Sequence, residues 1–385
     1  MSLKEKLTAC IERAVENREA AGINLMVLKD GRPLCYAEAG YADIESGRRI
    51  RRDSIFRLYS QTKPITAAAV LILADRGLLD LTAGVDQFLP GFRNPRVAGP
   101  DGTLRPATRA PWISELMSMT SGVCYPDADP AGQYAAQVFE KDHELILSGG
   151  GMSTLEFINE LGRQPLAFDP GTHWRYGTGA DVLGAVIEAV TGKTFGQFLK
   201  EELFGPLDML DTDFYVPEEK RDRLVTCYRR TPDGLKVFTD LNLAVGRYDR
   251  PPAFESGGAG LVSTLKDYAA FATMLMRGGV YGDRRILSEA AVRMLRSPRL
   301  RADVRKDLWD NMDGFSYGCL VRVCEEPGAA TFYAEKGEYG WDGWLGTYFA
   351  NLPESGVTFL LNQNAPDTGT AAVTRKCRNI IAAEG

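Results

Sequence analysis

The 385-residue chain predicts an α+β fold in which strands from both chain ends form one antiparallel sheet, flanked by helices, around a mostly helical middle. Three observations predict it. Strand-like apolar runs cluster within the first 40 residues and again in the last quarter. Between about 86 and 250 the chain is rich in Pro, Gly and polar loops with short helices between them. A hydrophobic content of 44% with 25% charged residues is that of a globular protein long enough for a large core.

The elements follow in order. Residues 4–20 read as an amphipathic helix. Ile23 to Val27 and Leu34 to Glu38 read as strands, joined at Lys29-Asp30-Gly31-Arg32 by an Asp-Gly hairpin turn. The run from Pro64 to Ala74 reads as a buried helix that stops near Arg76-Gly77. Asp181 to Val190 carries Leu183, Val186, Ile187 and Val190 on one face, with Gly192 as its stop. Thr264 followed by Asp267 is a capping box opening a helix through Tyr268 to Ala272. Residues 284–298 read as helical. Strands are expected at Leu320 to Val323, Thr331 to Tyr333, Leu345 to Ala350 and Val357 to Leu361, then a helix from about Thr368 to Ala382. There is no internal repeat. The organisation expected is one domain over 7–380, with a sheet subdomain (1–89 and 251–385), a mostly helical one (90–250) and a cleft between them.

Composition excludes several functions. A net charge of −6 argues against a nucleic-acid partner, which needs a basic face. Arg48-Arg49-Ile50-Arg51-Arg52 reads as a solvated turn. The seven cysteines lack Cys-x-x-Cys spacing and fit reduced thiols of a cytoplasmic protein. His143 and His173 stand far apart in no ligand motif, so neither a metal centre nor a Ser-His-Asp triad is expected, and no cofactor is implied. The first residues have no apolar core of a signal peptide, and no run is long enough for a membrane span.

With histidine this scarce, a nucleophilic serine needs another activator. Ser60-Gln61-Thr62-Lys63 supplies one: residues three apart share a helix face, so the Lys63 amine reaches the Ser60 hydroxyl. Ser60 also sits near a helix start, where backbone N–H groups favour developing negative charge. A second match, Ser263-Thr264-Leu265-Lys266, is explained by the helix cap. Tyr176, in the loop before Asp181, is placed to project into a cleft and accept a proton. Its bland reading is a packed tyrosine. Tyr339-Gly340-Trp341-Asp342-Gly343-Trp344 lets the backbone approach a ligand and offer an oxyanion donor, or is simply an aromatic, glycine-rich hairpin. Ser256-Gly257-Gly258-Ala259-Gly260 lacks the ending of a phosphate loop.

In that order, Ser60-x-x-Lys63, Tyr176-x-Thr178 and Trp341-Asp342-Gly343 resemble the serine β-lactamase and penicillin-binding-protein superfamily. Phe56 to Thr66 resembles the nucleophile segment of class C β-lactamases and family VIII carboxylesterases. Asp80 to Pro90, Leu116 to Gly122 and Ser256 to Thr264 fit as well, so the resemblance runs from about 7 to 380. It implies a β-lactamase/transpeptidase-like fold with Ser60 as nucleophile. Lys63 and Tyr176 share the proton work, with Tyr176 the expected base and Lys63 stabilising its phenolate, and a neutral Lys63 as base the alternative. The backbone N–H groups of Ser60 and Trp344 form the oxyanion hole. Trp341, Asp342, Gly343 and Thr178 bind substrate. Two departures bear on substrate. Thr178 stands where β-lactamases carry asparagine, and Trp341 where they carry lysine or histidine. The lost cation, with Asp342 beside it, shifts the expectation to hydrolysis of small carboxylic esters. A β-lactamase or D-amino-acid peptidase, an acyltransferase and a non-catalytic binding protein are the alternatives. The sequence sets no oligomeric state.

Overall fold

The computed structural model describes residues 1–239, 243, 245 and 247–384. Its main sheet has eight antiparallel strands in the spatial order Phe315–Tyr317, Arg322–Cys324, Tyr339–Asp342, Tyr348–Leu352, Val357–Gln363, Gly22–Lys29, Arg32–Asp43, Arg48–Arg49. The two chain ends meet where Gly22–Lys29 pairs with Val357–Gln363. Asp30 and Gly31, both in the left-handed region, make the turn read from the sequence.

The helices are α1 (Leu3–Glu16), α2 (Lys63–Asp75), α3 (Ile113–Met117), α4 (Pro130–Leu147), α5 (Thr154–Gly162), α6 (Gly179–Thr191), α7 (Phe195–Leu199), α8 (Leu265–Met276), α9 (Glu289–Leu295) and α10 (Ala372–Ala382). α1 and α10 cover one face of the sheet, where Leu7, Ile11, Val373 and Ile381 meet Leu25, Val27, Phe359 and Leu361. α2 and α8 share the opposite core with Met26, Leu28, Trp341, Phe349 and Leu360. Because both faces are covered, Gly22–Lys29 is buried at every residue but the last, and up to Leu28 its sequence is apolar apart from Asn24, whose side chain donates to the Arg51 carbonyl. Each large side chain so enclosed contributes about 1.5–3 kcal/mol.

Four sequence expectations need correction. Thr331 to Tyr333 forms no strand: Phe332 is buried against Phe315 while Tyr333 turns out to solvent. Residues 284–298 hold the end of a small hairpin (Val280–Tyr281 with Arg284–Arg285) and then the short α9, capped by Ser288. The strand expected from Leu345 begins at Tyr348, because residues 343–346 turn back toward Tyr339–Asp342, itself a strand. Arg48–Arg49 is an edge strand rather than a solvated turn. Arg49 lies over the Tyr41 ring at 4.6 Å and Arg52 over Tyr36 at 4.4 Å, and such edge charges discourage pairing with another sheet.

Candidate active site

Ser60 lies in a 3-10 turn, Tyr59–Thr62, that runs directly into α2. Tyr59 holds a left-handed backbone (φ 46°), a strained state for a non-glycine residue that persists only when packing fixes it. Its ring is clamped among Cys227, Val245, Ala259 and Leu345, 5.2 Å from the Trp344 ring. The turn therefore presents Ser60 by packing rather than by helix propensity.

One turn on, Lys63 is 0% exposed. Its Nζ donates to Ser60 Oγ at 3.1 Å, Tyr125 OH at 3.0 Å and the Gly258 carbonyl at 2.9 Å. Burial drives its pKa down to about 7, and the Asp181 and Asp342 charges pull only partly back. Asp181, at the start of α6, accepts from Gly258 N–H at 2.9 Å and Ser256 Oγ at 2.5 Å. It thereby fixes the segment whose carbonyl holds Lys63. Burial pushes the Asp181 carboxyl up, and Lys63 opposes it.

Tyr176 stands over this amine, its ring centroid 4.6 Å from Lys63 Nζ. Its hydroxyl accepts from Trp341 Nε1 at 3.0 Å. Burial pushes the phenol up strongly, with Ser60 and Trp341 opposing. The Tyr176 loop can reach this position because Gly177 lies on the Val123 carbonyl, where a Cβ would come within 2.2 Å. The same contact brings Tyr125 and Tyr176 to a ring separation of 6.0 Å.

The Trp341–Trp344 segment is pinned to the Ser60 turn. A Cβ on Gly343 would sit 2.1 Å from the Leu58 carbonyl, which Thr347 Oγ1 also contacts at 3.0 Å. Neither the Ser60 nor the Trp344 amide donates to another backbone group among the described residues. Trp341 is itself buried, so it acts as a wall and an anchor for Tyr176. Asp342 is closed off: its Oδ2 accepts from the Thr370 hydroxyl and lies 3.5 Å from Arg322 Nη1. The free repulsive charge expected there is absent. Thr178 is fully enclosed at the start of α6, its hydroxyl unpartnered, and is not presented to a ligand.

The second serine is structural. Ser263 is buried and its hydroxyl is hydrogen-bonded to Thr212 Oγ1 at 2.7 Å, while Lys266 is exposed. Only half of the expected capping box forms. Thr264 caps the Asp267 amide, but the Asp267 carboxylate bonds Asp211 N and Thr212 Oγ1 instead. Three residues at the site escape a sequence reading: Tyr125, Asp181 and Trp309. Trp309 is 45% exposed, 5.0 Å from the Tyr176 ring and 5.2 Å from Trp174. With Phe315, Arg322, Phe332, Trp341 and Arg375 it lines a small cleft. Nothing marks Trp309 in Leu308-Trp309-Asp310, whereas Tyr125 does follow the Leu116 to Gly122 segment of the family resemblance. Among the described residues, no group of three or more His, Cys, Asp or Glu is placed to hold a metal, and no helix is long and apolar enough to cross a membrane.

A buried lysine hydrogen-bonded to a serine that a strained turn presents, roofed by a tyrosine, is an arrangement for acyl transfer. Comparison with known proteins agrees: the Beta-lactamase family model matches residues 7–382. The chain belongs to the beta-lactamase family. Esterase EstB of Burkholderia gladioli is 32% identical, over 99% of this chain and 95% of its own. The structure of EstCE1, a hydrolase with promiscuous acyltransferase activity, superposes with a TM-score of 0.81 at 24% identity, covering 99% of this chain and 98% of its own. Simvastatin synthase LovD of Aspergillus terreus, unliganded, gives a TM-score of 0.81 at 21% identity, covering 100% and 99%. The protein is thus an enzyme of this serine-hydrolase family, within which ester hydrolysis and acyl transfer both occur.

Proposed function

We propose that this protein hydrolyses small carboxylic esters through an acyl-enzyme on Ser60. The observation that carries the reading is the Lys63 amine, fully buried, 3.1 Å from Ser60 Oγ and with its pKa brought down to about 7. At neutral pH about half of Lys63 is then a free amine. A neutral amine has two hydrogens and one lone pair. The hydrogens serve Gly258 O and Tyr125 OH, leaving the lone pair for the Ser60 proton. Tyr176, whose phenol is pushed up, keeps its proton, so Lys63 is the base and Tyr176 the acid.

In acylation, Ser60 Oγ attacks the ester carbonyl as its proton passes to Lys63. The oxyanion is held by the Ser60 and Trp344 amides. The C–O bond then breaks, with Tyr176 protonating the departing alkoxide and recovering a proton from Lys63. Water repeats the sequence on the acyl-enzyme to release the acid and free Ser60. This centre lies in the cleft between the sheet part (1–89 and 251–385) and the mostly helical part (90–250).

The ester reading rests on the Trp341-Asp342-Gly343 segment. The segment itself carries no cation for a β-lactam or peptide carboxylate, and the two arginines lining the cleft beside it are engaged, Arg322 3.5 Å from the Asp342 carboxylate and Arg375 donating to the Thr370 carbonyl at 2.6 Å. The cleft beside it has an aromatic side, Trp309, Phe315, Phe332 and Trp341, that suits the apolar part of a small ester, and a polar side that includes Arg322, Asp342 and Arg375. Seven free thiols fit a cytoplasmic setting. The test is a panel of p-nitrophenyl and alkyl esters run beside nitrocefin on wild type and Ser60→Ala. Ester turnover should exceed nitrocefin turnover and vanish in the variant. Nitrocefin turnover equal to that of the short esters would overturn the substrate reading. The family likeness to EstCE1 and LovD supports a second reading, transfer to an alcohol, which predicts a rate above hydrolysis when acceptor alcohols are added.

A further inference from the structure

We propose that Cys10 and Cys377 form a reversible disulfide that ties the two ends of the chain together. Cys10 lies on α1 and Cys377 on α10, and their sulfurs are 3.8 Å apart. The two helices pack side by side on the outer face of the sheet through Leu7, Ile11, Ala14, Val373 and Ile381. Theirs is the one thiol pair in contact among the described residues. The sulfurs are in van der Waals contact, and a bond needs them to close to about 2 Å.

The two thiols are unequal in a way that suits the chemistry. Cys10 borders an open groove between α1 and α10, lined by Ala9, Arg13, Val373, Lys376 and Ile380. Cys377 is fully buried behind it, so an oxidant reaches Cys10 first and Cys377 only through Cys10. The Cys377 thiol donates its hydrogen bond to Cys10, and with Lys376 and Arg13 nearby this brings Cys10 down to about 7 against the cost of burial. The Cys10 bond and burial push Cys377 the other way. Cys10 is thus the attacking thiolate and Cys377 the resolving thiol.

With glutathione disulfide as oxidant, the Cys10 thiolate attacks one sulfur and expels one glutathione. The Cys377 sulfur then loses its proton, attacks the Cys10 sulfur and expels the second. Two protein thiols and one glutathione disulfide become one protein disulfide and two glutathiones. The bond would close a loop around nearly the whole chain, which restricts the unfolded state most strongly. It lies on the sheet face away from α2 and so leaves Ser60 untouched.

The test treats the full-length protein with glutathione disulfide, then measures free thiols, peptide mass and melting temperature. The proposal expects two of the seven thiols to disappear, a Cys10–Cys377 linked peptide, and a melting temperature several degrees above the reduced form. Ester turnover at 25 °C should not change, and dithiothreitol should reverse everything. Cys377→Ser should stop at a glutathione adduct on Cys10, and Cys10→Ser should take up none. A stable glutathione adduct on Cys10 of the wild type, a linkage between other cysteines, or equal melting temperatures for oxidised and reduced protein would each overturn the proposal. None of these outcomes depends on what Ser60 acts upon.

Discussion

Replacing Asp181 by asparagine should move the acid limb of the pH–rate profile to lower pH. Lys63 sits near 7 rather than at the ordinary 10.5 because burial disfavours its charged form, and Asp181 is the largest influence acting the other way. The gap from 10.5 to 7 corresponds to ~5 kcal/mol of bias toward the neutral amine. At pH 7 about half of Lys63 is then a base, against roughly one molecule in three thousand for an unperturbed lysine. The sign follows directly. Activity needs the neutral amine, so kcat/KM falls as pH falls through the Lys63 pKa. Removing the Asp181 charge makes the ammonium harder still to hold, and the pKa drops. Two unit charges 4 Å apart at an effective dielectric of 20 interact by ~4 kcal/mol, an upper bound here because Asp181 makes no ion-pair contact with Lys63. A fall of about one pH unit, or ~1.4 kcal/mol, is therefore expected. Asparagine keeps an oxygen for the Ser256 and Gly258 bonds, so the geometry survives. The assay is kcat/KM for a p-nitrophenyl ester from pH 5 to 9 at constant ionic strength. A wild-type limb above pH 9, or a limb that Asp181→Asn leaves in place, refutes Lys63 as the base.

Tyr176→Phe should slow acylation by alkyl esters by ~10²–10⁴-fold, the usual worth of a general acid, yet spare the acylation burst of p-nitrophenyl esters, whose leaving group needs no proton. Equal losses on both would remove Tyr176 from that role. Trp309→Ala should leave the melting temperature nearly unchanged, because the side chain is half exposed. KM for aromatic esters should rise up to about tenfold, the scale of one lost aromatic contact of ~0.5–1.5 kcal/mol. Ser263→Ala should retain full turnover while losing ~1–2 kcal/mol in urea unfolding, as Thr212 loses a buried partner.

Much of the sheet was legible because its strands are long apolar runs: Gly22–Lys29 and Val357–Gln363 are covered on both faces and read so. Tyr339–Asp342 escaped notice as a strand because a glycine and polar flanks hide its register, which is set only by the neighbours it pairs with. Thr331 to Tyr333 misled through its β-favouring composition, since only Phe332 finds a core. At the site, Ser60 and Lys63 were visible because their contact is local, three residues apart. Tyr125, Asp181 and Trp309 reach the site through long-range packing, and no spacing in the sequence records that. Burial also changed the chemistry read from residue types. It lowers Lys63 and raises Tyr176, which reverses the order in which sequence alone ranks them as bases.

The most direct test of the central claim is intact-mass analysis after rapid mixing with a slowly hydrolysed ester or a fluorophosphonate. The account predicts one covalent adduct per chain, located by peptide mapping on Ser60, and none on Ser60→Ala. An adduct on Ser263, or continued ester turnover by Ser60→Ala, would contradict it.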